Sequence, residues 1–354
     1  MKILAISLAG IGDTLFATPL IHELRANFPD ATIDALVRWR GSKDLLEGNP
    51  HLNSIHQRNF ISDSKIGSLK FLLKLRAQGY DISFNTHPQS RRRYRLVAKF
   101  INAPVRLGHE YECSGALDRW LTNRTIPQDY TRHSAENNLS LLSLIKAKPL
   151  LPQHRYEVFL TDAEHTWAAD FVAGQNLTGR PMLGIHVGSG GTKNLALRRW
   201  PLGNYLELVR RLRECHPKLA VLFFGGPEEQ ADHEKISAAA RGGNLFFPKT
   251  QNFRQAAALL KKCGAFLSVD TALMHLAAAM NVRGQVVIET PTWNKPIEPY
   301  GNPFVLVKNP SVAGRNLEFY RYDGRGIQGS DEALRGCMAS VTVENVFKAL
   351  NPLI

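Results

Sequence analysis

Short apolar runs rich in β-branched residues alternate along this chain with helix-length stretches, and the alternation occurs twice. The first series takes in Ile3 to Leu8, Ala31 to Val37, a weak segment near Ser54 to Gln57, Tyr80 to Asn85 and Pro104 to Gly108. The second takes in Met182 to Val187, Leu219 to Phe224, Asn244 to Phe247, Ala265 to Val269 and Gln285 to Glu289. Runs this short and this uniformly apolar, with helices between them, are the pattern of parallel strands covered on both faces. Two such series in tandem predict an α/β chain of two doubly wound, Rossmann-like domains facing a cleft. A length of 354 residues suits two domains better than one core.

The segment from Lys146 to Pro152 carries two prolines and is the expected linker, which divides the chain at 1–150 and 151–354. The last helix, 343–350, is expected to pack back on the N-terminal domain. Helices are expected from near Asp13 through Arg25 and at Lys65 to Ala77, His133 to Ile145, Asp162 to Ala173, Leu202 to Cys215, Glu228 to Ala240, Phe253 to Cys263 and Thr271 to Met280. The stretch between Gly108 and Tyr130 has no clear pattern, and residues 319–326 match nothing assignable.

A composition 44% hydrophobic and 21% charged favours a folded chain over a disordered one. No window holds the roughly 18 uninterrupted apolar residues of a membrane span. Cys113, Cys215, Cys263 and Cys337 are scattered without paired spacing, which points away from a zinc site or disulfide framework and toward a reducing, cytoplasmic setting. The net charge of +13 calls for an anionic partner. The chain has neither zinc-finger spacing nor an aromatic-interleaved RNA-binding signature, so nucleic acid is not expected, and a nucleotide, phosphorylated lipid or anionic membrane surface fits.

Candidate chemistry sits where strands end. After the first strand, Gly10-Ile11-Gly12-Asp13 turns sharply into a helix, and Asp13 in the first turn can cap the helix or act on a substrate. After the fourth, Arg91, Arg92, Arg93 and Arg95 are four arginines in five residues, either a solvated helix face or a clamp for phosphate or carboxylate. Arg38 and Arg40 follow the second strand and can join that clamp. The loop Gly188-Ser189-Gly190-Gly191-Thr192-Lys193 lets backbone amides approach a phosphate, with Lys193, Arg198 or Arg199 to neutralise it. Glu228 or Glu229 can accept from a ribose hydroxyl or simply start a helix. Asp270-Thr271 opens a further helix with free amides, a second anion site.

The ordered set resembles the family 9 glycosyltransferases, the lipopolysaccharide heptosyltransferases. It comprises a GxGD turn leading to a TPL-type helix, a glycine/serine loop with a basic residue before Trp200-Pro201, a D-T-x-L-M-H helix start, and Cys337-Met338 before a last helix. The resemblance spans nearly the whole chain. It implies a GT-B fold with the acceptor on the N-terminal domain and the nucleotide-sugar on the C-terminal one, and it implies inverting transfer from a donor that is usually an ADP-activated heptose, with no metal or other cofactor. It implies Asp13 as general base and Arg198 or Arg199 on the donor phosphate, with Asp270, Thr271 and His275 at the donor sugar and diphosphate. Ser189, Gly190, Thr192, Lys193 and Glu228 complete the expected donor site. Gly10, Gly12, Arg38, Arg40, Arg91, Arg92 and Arg93 form the expected acceptor side, holding the anionic groups of a lipopolysaccharide-type acceptor at the inner leaflet, where the protein would be peripheral. Ala272, where the family commonly has glycine, and Glu289-Thr290-Pro291-Thr292, where an apolar-Gly-Pro-Thr stretch is usual, depart from its pattern. Competing readings are a nucleotide-sugar epimerase of the same fold, a non-catalytic nucleotide-binding module and a basic nucleic-acid-binding protein; the missing third glycine after Gly12 argues against a dinucleotide.

Overall fold

A computed structural model describes residues 1–190, 194–239, 243–312 and 329–354. The chain divides into two compact units, Met1–Phe159 with Lys295–Glu298, and Leu160–Asn294 with the described residues from Pro299 on. In the first, β1 (Lys2–Ser7), β2 (Thr32–Val37), β3 (Ser54–Gln57), β4 (Ile82–Asn85), β5 (Val105–Glu110) and β6 (Arg124–Pro127) form one sheet in the order β3-β2-β1-β4-β5-β6. In the second, β7 (Met182–His186), β8 (Ala220–Phe224), β9 (Leu245–Phe246), β10 (Ala265–Ser268), β11 (Gly284–Ile288) and β12 (Val305–Val307) are ordered β12-β11-β10-β7-β8-β9. Every pairing is parallel. Counted from each unit's own first strand, both sheets have the same doubly wound order, with the reversal between β1 and β4 and between β7 and β10. Such reversals open a crevice beyond the strands' C-terminal ends.

The sheets are covered on both faces, which is why the strands read as unbroken apolar runs. Ile3, Leu4 and Ile6 are fully buried in β1, and Leu183 and Ile185 likewise in β7. Three short elements escape the sequence pattern. The stretch before Tyr130 holds the helix Ala116–Leu121 and β6, and β12 is only three residues long. The first helix is also broken, into Ile11–Leu15 and Thr18–Asn27. Pro19 has no N–H to give and sits at the start of the second piece, where its fixed φ belongs.

The last helix, Val343–Leu350, packs within its own unit. Val346 and Leu350 are fully buried with Leu208, Leu212 and Val286. In the expected linker, the Leu150 and Leu151 amides donate to the buried Glu23, at 2.8–3.0 Å, and further on the Glu157 amide donates to Thr18 Oγ1 at 3.1 Å. No helix among the described residues is long and apolar enough to cross a membrane.

Candidate active site

At the reversal in the first sheet, the chain leaves β1 and turns at Gly10 into the helix Ile11–Leu15. Asp13 is the third helical residue, and its Oδ2 accepts from the Gly10 amide at 2.7 Å, so the capping reading is realised. A Cβ on Gly10 would come within 2.8 Å of that oxygen, which is why glycine stands there. Gly12 is buried in the same turn. Asp13 remains partly accessible, at the sheet's C-terminal edge.

The arginines expected beside it separate into three groups. Arg38 is half-buried, with its guanidinium 4.0 Å from the Trp39 ring centroid. Burial lowers its pKa, and the neighbouring charges of Arg93 and Arg91 add to this while Tyr94 opposes it, so Arg38, Arg91 and Arg93 share one region. The Trp39 indole N–H donates to Ala9 O at 2.7 Å, which ties this region to the Asp13 turn. Arg92 instead pairs with Asp118 at 3.3 Å. Arg95 is buried, donating to His109 O at 3.0 Å and Ser114 Oγ at 3.1 Å, and is a core residue. Arg40 is exposed at the start of the helix Arg40–Leu46.

After β4, bonded to the end of β1, lies a buried polar run with no signature in the sequence. Tyr111 Oη lies 2.8 Å from His87 Nδ1 and accepts from the Gln89 amide at 2.8 Å, while Gln89 Nε2 donates to Ile6 O at 2.5 Å. Complete burial pushes the His87 imidazole well below its ordinary range, so it is neutral at pH 7.

The second sheet's reversal gathers the donor-side residues around β7 and β10. Thr271 caps the helix Ala272–Ala279, its Oγ1 accepting from Met274 N at 3.2 Å and lying 3.2 Å from His186 Nδ1. Asp270 forms a close ion pair with Arg198, which also donates to Thr292 Oγ1 and Ser189 O, each at 3.3 Å. Thr292 thus supplies a contact from the stretch that departs from the family pattern. Ser189 Oγ donates to Leu195 O at 2.7 Å, and Gly190 has φ +79°, a left-handed value natural to glycine. His275 lies one turn into the Thr271 helix; burial lowers its pKa to about 4 although Asp270 pulls the other way. Thr192, Lys193 and residues 319–326 lie outside the described residues.

The adjacent arginines diverge. Arg198 belongs to the Asp270 group, whereas Arg199 pairs with Glu229 at 3.3 Å and Asp232 at 3.0 Å. With Trp200, Asp232 and Arg335, Arg199 lines a cavity of about 880 Å³. Glu228, the expected ribose ligand, is exposed, and Glu229 is the buried carboxylate. Burial alone would raise Glu229, but His186, the Gly226 amide and Arg199 outweigh it and hold the group at about 2. The buried role of Glu229 has a signal in the chain. Gly226-x-x-Glu229 repeats the spacing of Gly10-x-x-Asp13, and the Gly226 amide donates to Glu229 Oε2 at 2.9 Å. Gly188 faces the same carboxylate, for a Cβ there would overlap Glu229.

Both reversals therefore carry polar side chains and a helix start, the construction of a ligand-binding α/β pair. Residues 68–318 match the family model for glycosyltransferase family 9 (heptosyltransferase). Lipopolysaccharide heptosyltransferase 3 of Escherichia coli is 25% identical over 293 residues, covering 76% of this chain and 78% of that protein. Lipooligosaccharide heptosyltransferase 2 of Haemophilus ducreyi is 24% identical over 100% of this chain and 99% of its own length. Among solved structures, a family 9 glycosyltransferase from Veillonella parvula superposes with a TM-score of 0.78 at 19% identity, covering 99% of this chain and 96% of that one. Escherichia coli ADP-heptose lps heptosyltransferase II superposes with a TM-score of 0.72 at 23% identity, covering 100% and 98%. The two parallel six-stranded sheets are those of the GT-B fold, and the chain belongs to glycosyltransferase family 9, the heptosyltransferase family, as a glycosyltransferase enzyme.

Proposed function

We propose that this glycosyltransferase moves a heptose from an ADP-activated donor to a lipopolysaccharide inner-core acceptor, with inversion at the anomeric carbon. One observation carries the reading. Asp13 stands at the reversal of the first sheet, while Arg198, Asp270 and Thr271 converge at that of the second. The names of the relatives, which specify lipopolysaccharide heptosyltransferases and ADP-heptose, supply the donor and acceptor class.

In this mechanism Asp13 takes the proton of an acceptor hydroxyl as its oxygen bonds to the anomeric carbon. The anomeric carbon–oxygen bond to the diphosphate breaks, and its electron pair leaves on the β-phosphate oxygen of ADP. Arg198 and the amides at the Thr271 helix start stabilise that charge by fixed cations and dipoles, and no catalytic metal is required. Asp270, already bound to Arg198, positions the guanidinium or accepts from a sugar hydroxyl. Arg38, Arg91 and Arg93 hold anionic groups of the acceptor.

The protein acts at the cytoplasmic face of the inner membrane as a peripheral enzyme. What supports this is the exterior of three helices of the first unit, Lys65–Arg76, Arg92–Ile101 and Ala116–Leu121. They expose Ile66, Leu69, Leu73, Leu96, Phe100, Leu117 and Trp120. Lys65, Lys70, Lys74, Arg92, Arg93 and Arg119 are exposed among them, and Lys99 lies 4.2 Å from the Trp120 ring centroid. The single acid of the three helices, Asp118, is buried against Arg92 and Arg95. Apolar side chains set among cations suit an anionic bilayer surface.

The test is ADP release from ADP-heptose with a Kdo-bearing lipid A acceptor in the presence of chelator. Release that depends on acceptor is expected. Conversion of the donor without acceptor would instead make the protein an epimerase, and no turnover with any nucleoside-diphosphate heptose would overturn the donor assignment.

A further inference from the structure

His186, which takes no part in the transfer chemistry above, touches a group that does. It is the last residue of β7, Glu229 follows β8 and Thr271 follows β10, and these strands lie side by side in the order β10-β7-β8. The three side chains therefore form a row along the C-terminal edge of the second sheet, with the imidazole in the middle. His186 Nδ1 is 3.2 Å from Thr271 Oγ1, and its Nε2 is 3.8 Å from Glu229 Oε2. All three residues are buried.

We propose that His186 is a positioning residue for the transfer, fixing the Thr271 hydroxyl and with it the helix start that receives the leaving diphosphate; this role rests on the placement of the diphosphate proposed above.

Thr271 Oγ1 accepts from the Met274 amide at 3.2 Å. That cap leaves the amides of Ala272 and Leu273, which the first turn of a helix cannot satisfy by itself, for a ligand. The cap alone binds Thr271 only to its own helix. The contact with His186 ties the helix start to the neighbouring strand β7, so the amides keep one direction. Dipoles already oriented need no reorganisation when charge develops on a leaving group, and this is where such fixing acts on the reaction.

The imidazole is held from its far side as well. Glu229 stands within ion-pair range of Nε2, and its carboxylate accepts from the Gly226 amide at 2.9 Å and pairs with Arg199 at 3.3 Å. Gly188 makes the space for this meeting, because a Cβ there would overlap Glu229 and lie 2.8 Å from His186 Nε2. Its φ is not positive, so the position calls for glycine through close approach and not through backbone freedom.

The test is calorimetric titration of the full-length protein with ADP and, separately, with AMP. Asparagine places its carboxamide near the position of the imidazole Nδ1, and glutamine near that of Nε2, so the two amides separate the Thr271 contact from the Glu229 contact. His186→Gln and His186→Leu should weaken ADP about tenfold, the loss of one hydrogen bond, and AMP by much less. His186→Asn should hold both ligands within about threefold of the native protein. Since His186 acts through Thr271, ADP should bind the double variant His186→Gln/Thr271→Val no more weakly than Thr271→Val alone. A histidine that only fills space would lower Tm and both affinities alike, with asparagine and glutamine equivalent; that pattern, or additive losses in the double variant, overturns the proposal. Failure of the native protein to bind ADP would overturn the donor reading and this role with it, whereas native ADP binding that no His186 variant alters would overturn the role alone.

Discussion

Replacing Ile66, Leu69 and Leu73 together by serine should detach the protein from membranes while leaving it folded. These residues are 73%, 47% and 53% exposed, and the inward side of the same helix is made by Ser68, Leu72 and Leu75. Little packing is therefore lost on substitution, and the folding penalty stays near the ±0.5 kcal/mol per site of ordinary surface changes. Together the three present somewhat under two side chains' worth of apolar surface. Withdrawn fully from water, that surface is worth about 2.5–5 kcal/mol at 1.5–3 kcal/mol per side chain. Immersion to half depth in the interfacial region leaves about 1–2.5 kcal/mol, or roughly a five- to seventyfold fall in vesicle partitioning. Charge reversal at Lys65, Lys70 and Lys74 should act differently, losing about 1 kcal/mol or more per site on anionic vesicles only, and only at low salt. Co-sedimentation with neutral and anionic vesicles at two salt concentrations separates the two contributions. If the triple serine variant sediments with anionic vesicles as the native protein does, the apolar face has no part in attachment and the reasoning fails.

Asp13→Asn keeps an oxygen that accepts from the Gly10 amide, so Tm should move little while kcat falls about 10²- to 10⁴-fold at unchanged ADP affinity; substantial residual transfer would remove Asp13 as the base. Arg198→Ala strands the Asp270 carboxylate in a mostly buried position and should cost roughly 3–5 kcal/mol in urea denaturation, part of which the Arg198→Ala/Asp270→Ala double variant restores; equal stability of the single and double variants would mean the pair is not coupled. Glu229 is held at about 2, below its ordinary 4.5, so its ionised form stabilises the fold above about pH 4.5, and that contribution, on the order of 3 kcal/mol, fades as pH falls from there toward 2. Glu229→Gln should accordingly be much less stable than the native protein at pH 7 and approach it in acid, and a gap that stays constant with pH would refute the assignment. Gly188→Ala should displace the same carboxylate and reproduce the neutral-pH loss seen by differential scanning calorimetry.

The tandem α/β architecture was legible because parallel strands buried on both faces leave unmistakable apolar runs. The turns that carry the candidate site were legible for a related reason, since each follows directly on such a run. What escaped was anything decided by one residue of helical phase or by distant neighbours. Arg198 and Arg199 are adjacent and chemically identical, and only the fold sends one to Asp270 and the other to Glu229 and Asp232. Glu228 and Glu229 are likewise adjacent and chemically identical, and only the fold leaves the first exposed and buries the second against Arg199. Lys65–Arg76 has two apolar stripes at helical spacing, and its sequence does not say which one faces inward. Arg95 looked like a member of a solvent-facing cluster but fills the core, because its neighbours His109 and Ser114 come from β5 and the turn after it.

Three times among the described residues this chain uses the same small device, a glycine whose amide is held by an acid three residues on: Gly10 with Asp13, Gly115 with Asp118, Gly226 with Glu229. At Asp118 and Glu229 the carboxylate is buried against arginine, and its work is cohesion. At Asp13 the identical turn sits at the rim of a sheet reversal, partly open to solvent. If Asp13 is the base proposed above, a reactive carboxylate is obtained from a cohesive one by a change of address, on a turn whose glycine φ is −78° at Gly10, −114° at Gly115 and −123° at Gly226. The molecule also contains its own calibration: whatever Asp118→Asn costs in stability bounds what this turn is worth as scaffold, and any loss of Asp13 activity beyond that bound belongs to chemistry.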